Sequence, residues 1–263
     1  MIIGSPIVSG FDLFGFNIRI YSVCMFLAIA LAFIFVYYSS GRLSLKTSKD
    51  VILDFFPWLF LSGVFGARLY YVLLCHEFYF LNPHLIFQIW TGGISIHGAF
   101  LGGIIAGVIY FKYKKIQFFP YADICSVGLA LGQSVGRWGN YFNQEAFGAP
   151  ITGNFPIKLF VDSSFRPFEY QNNDYFHPVF LYESIFDFLI FLILIFALKK
   201  SADKYDGFVF FAYIFLYSLV RAFLELIRLD SVLFINSLPF PFLVSVVGIF
   251  AGVLGMIYRL RAH

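Results

Sequence analysis

The sequence predicts an all-α, polytopic membrane protein. It has seven transmembrane helices, the N-terminus outside, the C-terminus in the cytoplasm and a small extracytoplasmic head. Three observations predict this. Apolar residues are 60% of the 263 and charged ones only 13%, where a soluble domain carries about 25% charge. The apolar residues fall in seven runs, each close to the roughly 20 residues that a helix needs to cross the hydrocarbon layer. Lysine and arginine gather in alternate connections between those runs. A net charge of +3, with no basic run interleaved with aromatics, leaves no nucleic-acid footprint.

Taken in order, Met1 to Asn17 carries neither a basic n-region nor a small-residue cleavage site, so it does not read as a cleaved signal peptide. Phe11, Leu13, Phe14 and Phe16 suggest a short arm at the membrane surface. The spans are then Ile20–Tyr38, Val51–Cys75, Gly92–Phe111, Tyr121–Tyr141, Val179–Leu198, Gly207–Ile227 and Ser237–Tyr258. In lipid every backbone polar group must be satisfied internally, which favours helices, and no alternating barrel pattern is present.

Arg42, Lys46 and Lys49 follow the first span, and Lys112, Lys114 and Lys115 the third. Lys199, Lys200 and Lys204 follow the fifth, and Arg259 and Arg261 the seventh, so one side holds eleven of the eighteen basic residues. The positive-inside rule makes that side cytoplasmic. An odd number of spans then puts the termini on opposite faces, in agreement with the count. The whole chain, residues 1–263, reads as a single transmembrane domain. Its longest connection, about 142–178, is rich in glycine and proline and reads as an extracytoplasmic head with strand pairing near Ile157–Val161. Cys24, Cys75 and Cys125 lie in or beside apolar runs at wide spacing. They read as small apolar side chains rather than disulfides or metal ligands.

Polar clusters interrupt the apolar background. Gly136-Arg137-Trp138-Gly139-Asn140 and the following Asn143, Gln144 and Glu145 end the fourth span. Ionisable groups at membrane depth cost roughly 2.5–3.5 kcal/mol each, so the cluster needs partners. Arg137 and Asn140, three apart, share a helix face. Glu145 or Glu225 is a candidate ion-pair partner for Arg137, and Asp123, near the other end of the span, is a candidate cap for its own helix.

Tyr217, Arg221, Glu225 and Arg228 are offset by four, eight and eleven, which places them within roughly 80° of one another on a helix. Such a stripe faces the bundle interior or a water-filled cavity. It carries one more arginine than acid. Gly92, Gly93, Gly98, Gly102 and Gly103 read as close helix packing rather than a phosphate loop, since no strand precedes them. His97, one turn into that span, is either a packed, hydrogen-bonded histidine or a general base or anion donor. His177-Pro178 leading to Tyr182 and Glu183 reads as a helix start with interfacial side chains. Arginine forks match phosphate geometry, so the residues point to a protein that binds or processes a phospholipid headgroup on the outer side. A flippase and a scaffold of buried ion pairs are the competing classes.

The motifs also resemble a known family, prolipoprotein diacylglyceryl transferase. Gly-Arg-Trp-Gly-Asn-Tyr-Phe-Asn-Gln-Glu-Ala-Phe-Gly (136–148) resembles its signature, and Gly-Gly-Ile-Ser-Ile-His-Gly (92–98) its histidine motif. His-Pro-x-x-Leu-Tyr-Glu (177–183) is similar to its fifth-helix start, and Tyr217, Arg221, Glu225 and Arg228 to its Tyr-x3-Arg-x3-Glu-x2-Arg pattern. Tyr21 resembles a first-helix tyrosine. The sequence departs from the family at Ala99, Ala222 and Ile20, which are packing positions.

The resemblance implies transfer of the diacylglyceryl group of phosphatidylglycerol to the lipobox cysteine thiol of prolipoprotein signal peptides, with release of glycerol 1-phosphate. The setting it implies is the bacterial cytoplasmic membrane, with no cofactor and no metal. It further implies catalytic roles for His97, Tyr217, Arg137 and Arg221, with His97 or Tyr217 as the base. Arg137, Asn140, Glu145, Gly148, Tyr21, Glu225 and Arg228 would contact the substrate or orient the groups that do.

Overall fold

A computed structural model of the chain describes residues 2–262 except 5, 7–8, 14–15, 45, 90–91, 202–203, 230–233 and 236–237, with backbone alone at 13, 16–17, 96–97 and 234–235. Seven long helices coincide with the seven predicted runs. They are α1 (Ile20–Ser39), α2 (Lys49–Leu74), α4 (Ile96–Lys114), α5 (Phe118–Phe142), α6 (Val179–Ser201), α7 (Phe208–Glu225) and α8 (Phe240–Arg261). A short α3 (His76–Leu81) follows α2. By length and composition, α1, α2, α6, α7 and α8 are apolar enough to cross a membrane. The protein is therefore a helical, multi-pass membrane protein.

Several ends differ from the sequence expectation, each for a local reason. α2 begins at Lys49 because the Ser48 hydroxyl accepts from the Asp50 amide at 3.2 Å, an N-cap. α4 begins at Ile96 rather than Gly92, because Gly92 and Gly93 hold φ of 96° and 72°, outside the helical region. α7 stops at Glu225. Beyond it the Ile227 carbonyl accepts from the Ala149 amide at 2.8 Å, and Gly148 bridges Arg228. Arg228 is therefore not on the helical stripe. It follows the helix, in a segment paired to the head. The predicted start of α8 at Ser237 lies outside the described residues.

The chain forms two compact units, Met1–Lys46 with Phe119–His263, and Thr47–Phe118. In the first, glycines set how closely α5 approaches α1. A Cβ at Gly132 would lie 3.1 Å from the Ala28 carbonyl, and one at Gly139 would lie 2.9 Å from the Tyr21 ring. Small residues at such spacing let transmembrane backbones meet, and here they also seat Tyr21. Gly252 does the same for α8 against Phe215 of α7.

The head is built on a three-stranded sheet. β1 (Ile2–Ile3) runs parallel to β4 (Lys158–Phe160), which pairs antiparallel with β5 (Tyr175–Phe176) in the register Leu159↔Phe176. β4 falls within the segment expected to pair. Its core is Ala146, Phe147, Leu159, Val161, Phe176 and Phe180. The expected N-terminal surface arm is a hairpin of β2 (Gly10–Leu13) and β3 (Phe16–Arg19), and a second hairpin, β6 (Phe234–Ile235) with β7 (Leu238–Pro239), precedes α8.

At the opposite end of α5, Asp123 caps α7 rather than its own helix. Its buried carboxylate accepts from the amides of Gly207 and Phe210, both at 2.7 Å. Two amides of the first turn of α7 thereby find an anion at the positive end of the helix. Asp206 extends the latch. Its carboxylate pairs with Lys46 at 2.8 Å, and its carbonyl accepts from Arg259, whose guanidinium lies 3.9 Å over the Phe119 ring. Asp123→Ala orphans two buried donors at about 1–3 kcal/mol each. A lowered melting temperature in detergent, with the loss largely restored in Asp123→Asn, is the expected result.

In the second unit, α2 and α4 pack through Gly66, Gly98 and Gly102. A Cβ on Gly98 would strike the Gly66 carbonyl, and one on Gly102 the Ser62 carbonyl. This is the packing role expected of those glycines. Arg68 of α2 is 6% exposed and spends its donors on main-chain carbonyls: Ile86 at 2.9 Å, Gly92 at 2.6 Å, Gly93 at 2.7 Å, Leu85 at 2.5 Å and Gln88 at 3.4 Å. The Ser95 amide adds a bond to the Ala67 carbonyl at 3.0 Å. Arg68 thus fixes the turn from which α4 starts. An apolar groove of about 840 Å³, lined by Trp58, Leu69, Tyr70, Leu101 and Ile105 among others, runs along the pair and ends at Asp54 and Lys114.

Candidate active site

α5, α6 and α7 each turn ionisable side chains toward one point. Arg137 of α5 meets Glu183 Oε2 of α6 at 2.9 Å through Nη1, and Asp187 Oδ2 at 3.6 Å through Nε. Its Nη2 donates to the Tyr217 hydroxyl of α7 at 3.4 Å. Arg221, one turn beyond Tyr217, pairs with Glu183 Oε1 and with Glu225 Oε2, the latter at 2.7 Å. Arg228 reaches the same Glu183 oxygen at 3.9 Å. Tyr213 stacks on Tyr217 and donates to Gln133 at 2.9 Å, which anchors the tyrosine row of α7 to α5.

The ion-pair partners of Arg137 are therefore Glu183 and Asp187, rather than Glu145 or Glu225. Glu183 is a hub, not an interfacial side chain. It and Asp187 stand four apart and so share one face of α6, and each is 2% exposed. With Glu225 they set three carboxylates against three arginines, so the positive excess counted on α7 alone is balanced from α6. The arginines keep the outward edge. Their side chains are 20%, 15% and 16% exposed for Arg137, Arg221 and Arg228, against 3% for Glu183 and 0% for Glu225.

The end of the signature segment folds back on itself. Gln144 and Ala146 hold φ of 52° and 55°, and Asn140 and Asn143 each donate to Glu145 at 3.2 Å, to Oε2 and Oε1 respectively. Tyr21 is within electrostatic reach of Glu145 and Arg137. Gly148 has a backbone role. Its amide bonds the His177 carbonyl at 2.8 Å, and a Cβ would come within 2.7 Å of the Ile227 carbonyl. It lets the head lie against the segment that carries Arg228. In the head, His177 Nδ1 lies 3.2 Å from the Tyr182 hydroxyl, and burial lowers the His177 pKa, which favours a neutral ring. Hydrogen bonds from the Ser164 hydroxyl and amide hold the Asp162 carboxyl below its ordinary value.

The first unit thus brings together Tyr21, Arg137, Asn140, Glu145, Gly148, Tyr217, Arg221, Glu225 and Arg228. The backbone of His97 lies in the first turn of α4, in the second unit, and its side chain lies outside the described residues. The sequence reading missed Glu183 as a hub, and it missed Asp187 and Arg68 altogether. The signal that flagged Arg137, an ionisable residue inside an apolar run, was present at all three.

Fold and site together define a multi-pass membrane protein with a buried arginine–carboxylate cluster, a setting that handles a charged group within a membrane. Residues 9–258 match the model of the prolipoprotein diacylglyceryl transferase family. The chain belongs to that family and is a transferase. It is 41% identical over 247 residues to phosphatidylglycerol–prolipoprotein diacylglyceryl transferase 1 of Clostridium perfringens, covering 94% of this chain and 92% of that one. It is 42% identical over 234 residues to the enzyme so named in Clostridium botulinum strain Langeland, covering 88% and 89%. The corresponding Acaryochloris marina protein is 42% identical over 211 residues, covering 80% and 76%.

Proposed function

We propose that this protein transfers the diacylglyceryl group of phosphatidylglycerol to the lipobox cysteine of prolipoprotein signal peptides, in the bacterial cytoplasmic membrane. The observation that carries the reading is the convergence of Arg137, Arg221 and Arg228, edges outward, on one buried carboxylate. Guanidinium forks of this kind suit a phosphate. The printed names of the relatives supply the two substrates.

All seven long helices cross the membrane in this reading, with the N-terminus and head outside and the basic connections inside. The chain works as one transmembrane domain. The cysteine thiol gives its proton to a base, and the thiolate attacks the glyceryl carbon that bears the phosphate ester. A carbon–sulfur bond forms as the carbon–oxygen bond breaks, and glycerol 1-phosphate departs with the electron pair. Arg137 and Arg221 hold the phosphate and stabilise the charge that grows on its leaving oxygen. Asn140 and Tyr21 hydrogen-bond the headgroup or its ester region. Glu145, Glu225 and Arg228 orient these groups, and Gly148 provides the close approach of the head. His97 is the base, and Tyr217 is the rival for that role.

Purified protein given labelled phosphatidylglycerol and a lipobox peptide tests the reading, and label on the peptide cysteine is the expected result. Failure of an intact, folded preparation to label the peptide would sink it. His97→Gln is expected to lower turnover at least tenfold, with little change in phosphatidylglycerol binding. Wild-type turnover in that variant would move the base to Tyr217.

A further inference from the structure

Glu183 is the least exposed member of the arginine cluster that touches all three arginines. Three segments of chain, α5, α7 and the stretch after α7, deliver one arginine each to a carboxylate supplied by a fourth, α6. Holding helices together does not need this. An apolar side chain of similar volume does so without burying charge. The carboxylate differs from such a side chain in two ways. It points two guanidinium forks at one place, through Oε2 to Arg137 and Oε1 to Arg221. It also competes, as an anion, for the same N–H donors that a phosphate would use. With Asp187 and Glu225 it brings the cluster to charge balance, so an arriving phosphate finds donors already engaged.

Given the phosphatidylglycerol reading above, on which this rests, we propose that Glu183 is a positioning residue. It keeps Arg137 and Arg221 convergent and holds back their grip on the headgroup in the ground state. The forks close fully only as charge accumulates on the departing phosphate oxygen. Interactions that strengthen in the transition state raise kcat, whereas equal binding of both states does not.

The test is steady-state kinetics of Glu183→Gln in phosphatidylglycerol, expressed per folded molecule, with wild type measured alongside. Glutamine keeps the size and one acceptor oxygen but removes the charge. The expected result is a split: kcat falls at least tenfold while the KM for phosphatidylglycerol falls twofold or more. A purely structural role would leave both constants of the folded fraction alone. Unchanged kcat, or a raised KM, overturns the proposal. Should the variant fail to fold, Glu183→Asp serves. It keeps the charge but is one methylene too short to span both arginines, so kcat should fall with KM unchanged, and wild-type constants there also overturn the proposal. An inert wild type overturns the phosphatidylglycerol reading and this proposal with it. An active wild type with an unaffected variant overturns this proposal alone.

Discussion

Arg137→Ala is expected to abolish measurable diacylglyceryl transfer and to weaken the folded protein at the same time. Removing one preorganised donor to a developing oxyanion costs roughly 10²–10³ in rate, and Arg137 supplies more than one. The stability effect has a separate cause. Glu183 and Asp187 are buried at 2% exposure, and both face Arg137. Breaking a buried ion pair from one side costs about 3–5 kcal/mol, because the remaining charge is uncompensated. Transfer assays on the folded fraction, set beside thermal unfolding in detergent, separate the two effects. Arg137→Lys retains the charge without the fork, and so should recover stability more than rate. Full transfer activity in the folded Arg137→Ala protein would remove the phosphate-clamp assignment.

Arg68→Ala is expected to be the most damaging change in the second unit, although Arg68 touches no acid in its hydrogen-bond list. Its guanidinium donates to the carbonyls of Leu85, Ile86, Gln88, Gly92 and Gly93. Hydrogen bonds to a charged group contribute about 1.5–3 kcal/mol each, so even two lost bonds exceed about 3 kcal/mol. The structural consequence is local: the turn before Ile96 loses its tether, and with it the placement of the α4 start that carries His97. Faster hydrogen exchange across 85–97 in Arg68→Ala, relative to wild type, is the measurement. Unchanged exchange there would show that the loop holds its form without the guanidinium.

Much of the fold was legible because lipid allows few backbone solutions. Long apolar runs report helices, and all seven did. The ends were less legible, because they are set by backbone conformation rather than hydropathy. Gly92 and Gly93 are apolar by composition yet left-handed in φ, and Ile227 continues an apolar run yet pairs with the head. In the site, four-residue spacing on α7 sufficed to group Tyr217, Arg221 and Glu225. The spacing rule works within a helix, and it gave no information about which helix faces which. Glu183 was therefore read from its neighbour Pro178 as an interfacial residue, and Arg228 was read as helical because an eleven-residue offset fits a helix that had already ended. Asp123 was assigned to its own helix for the same reason. Its actual partner, the start of α7, is more than 80 residues away.

The pairing of Ile2 and Ile3 with Lys158 and Leu159, reinforced by the Tyr141 hydroxyl on the Gly4 carbonyl at 2.9 Å, imposes an order on biosynthesis. Chains grow at about 5–20 residues per second, so the first strand waits roughly 8–30 s for its neighbour to be made. During that interval α1, α2, α4 and α5 are synthesised while the two-residue β1 lacks β4. Completion of the head is then a late event, and the ribosome has passed more than half the message before the N-terminal strand can take its place.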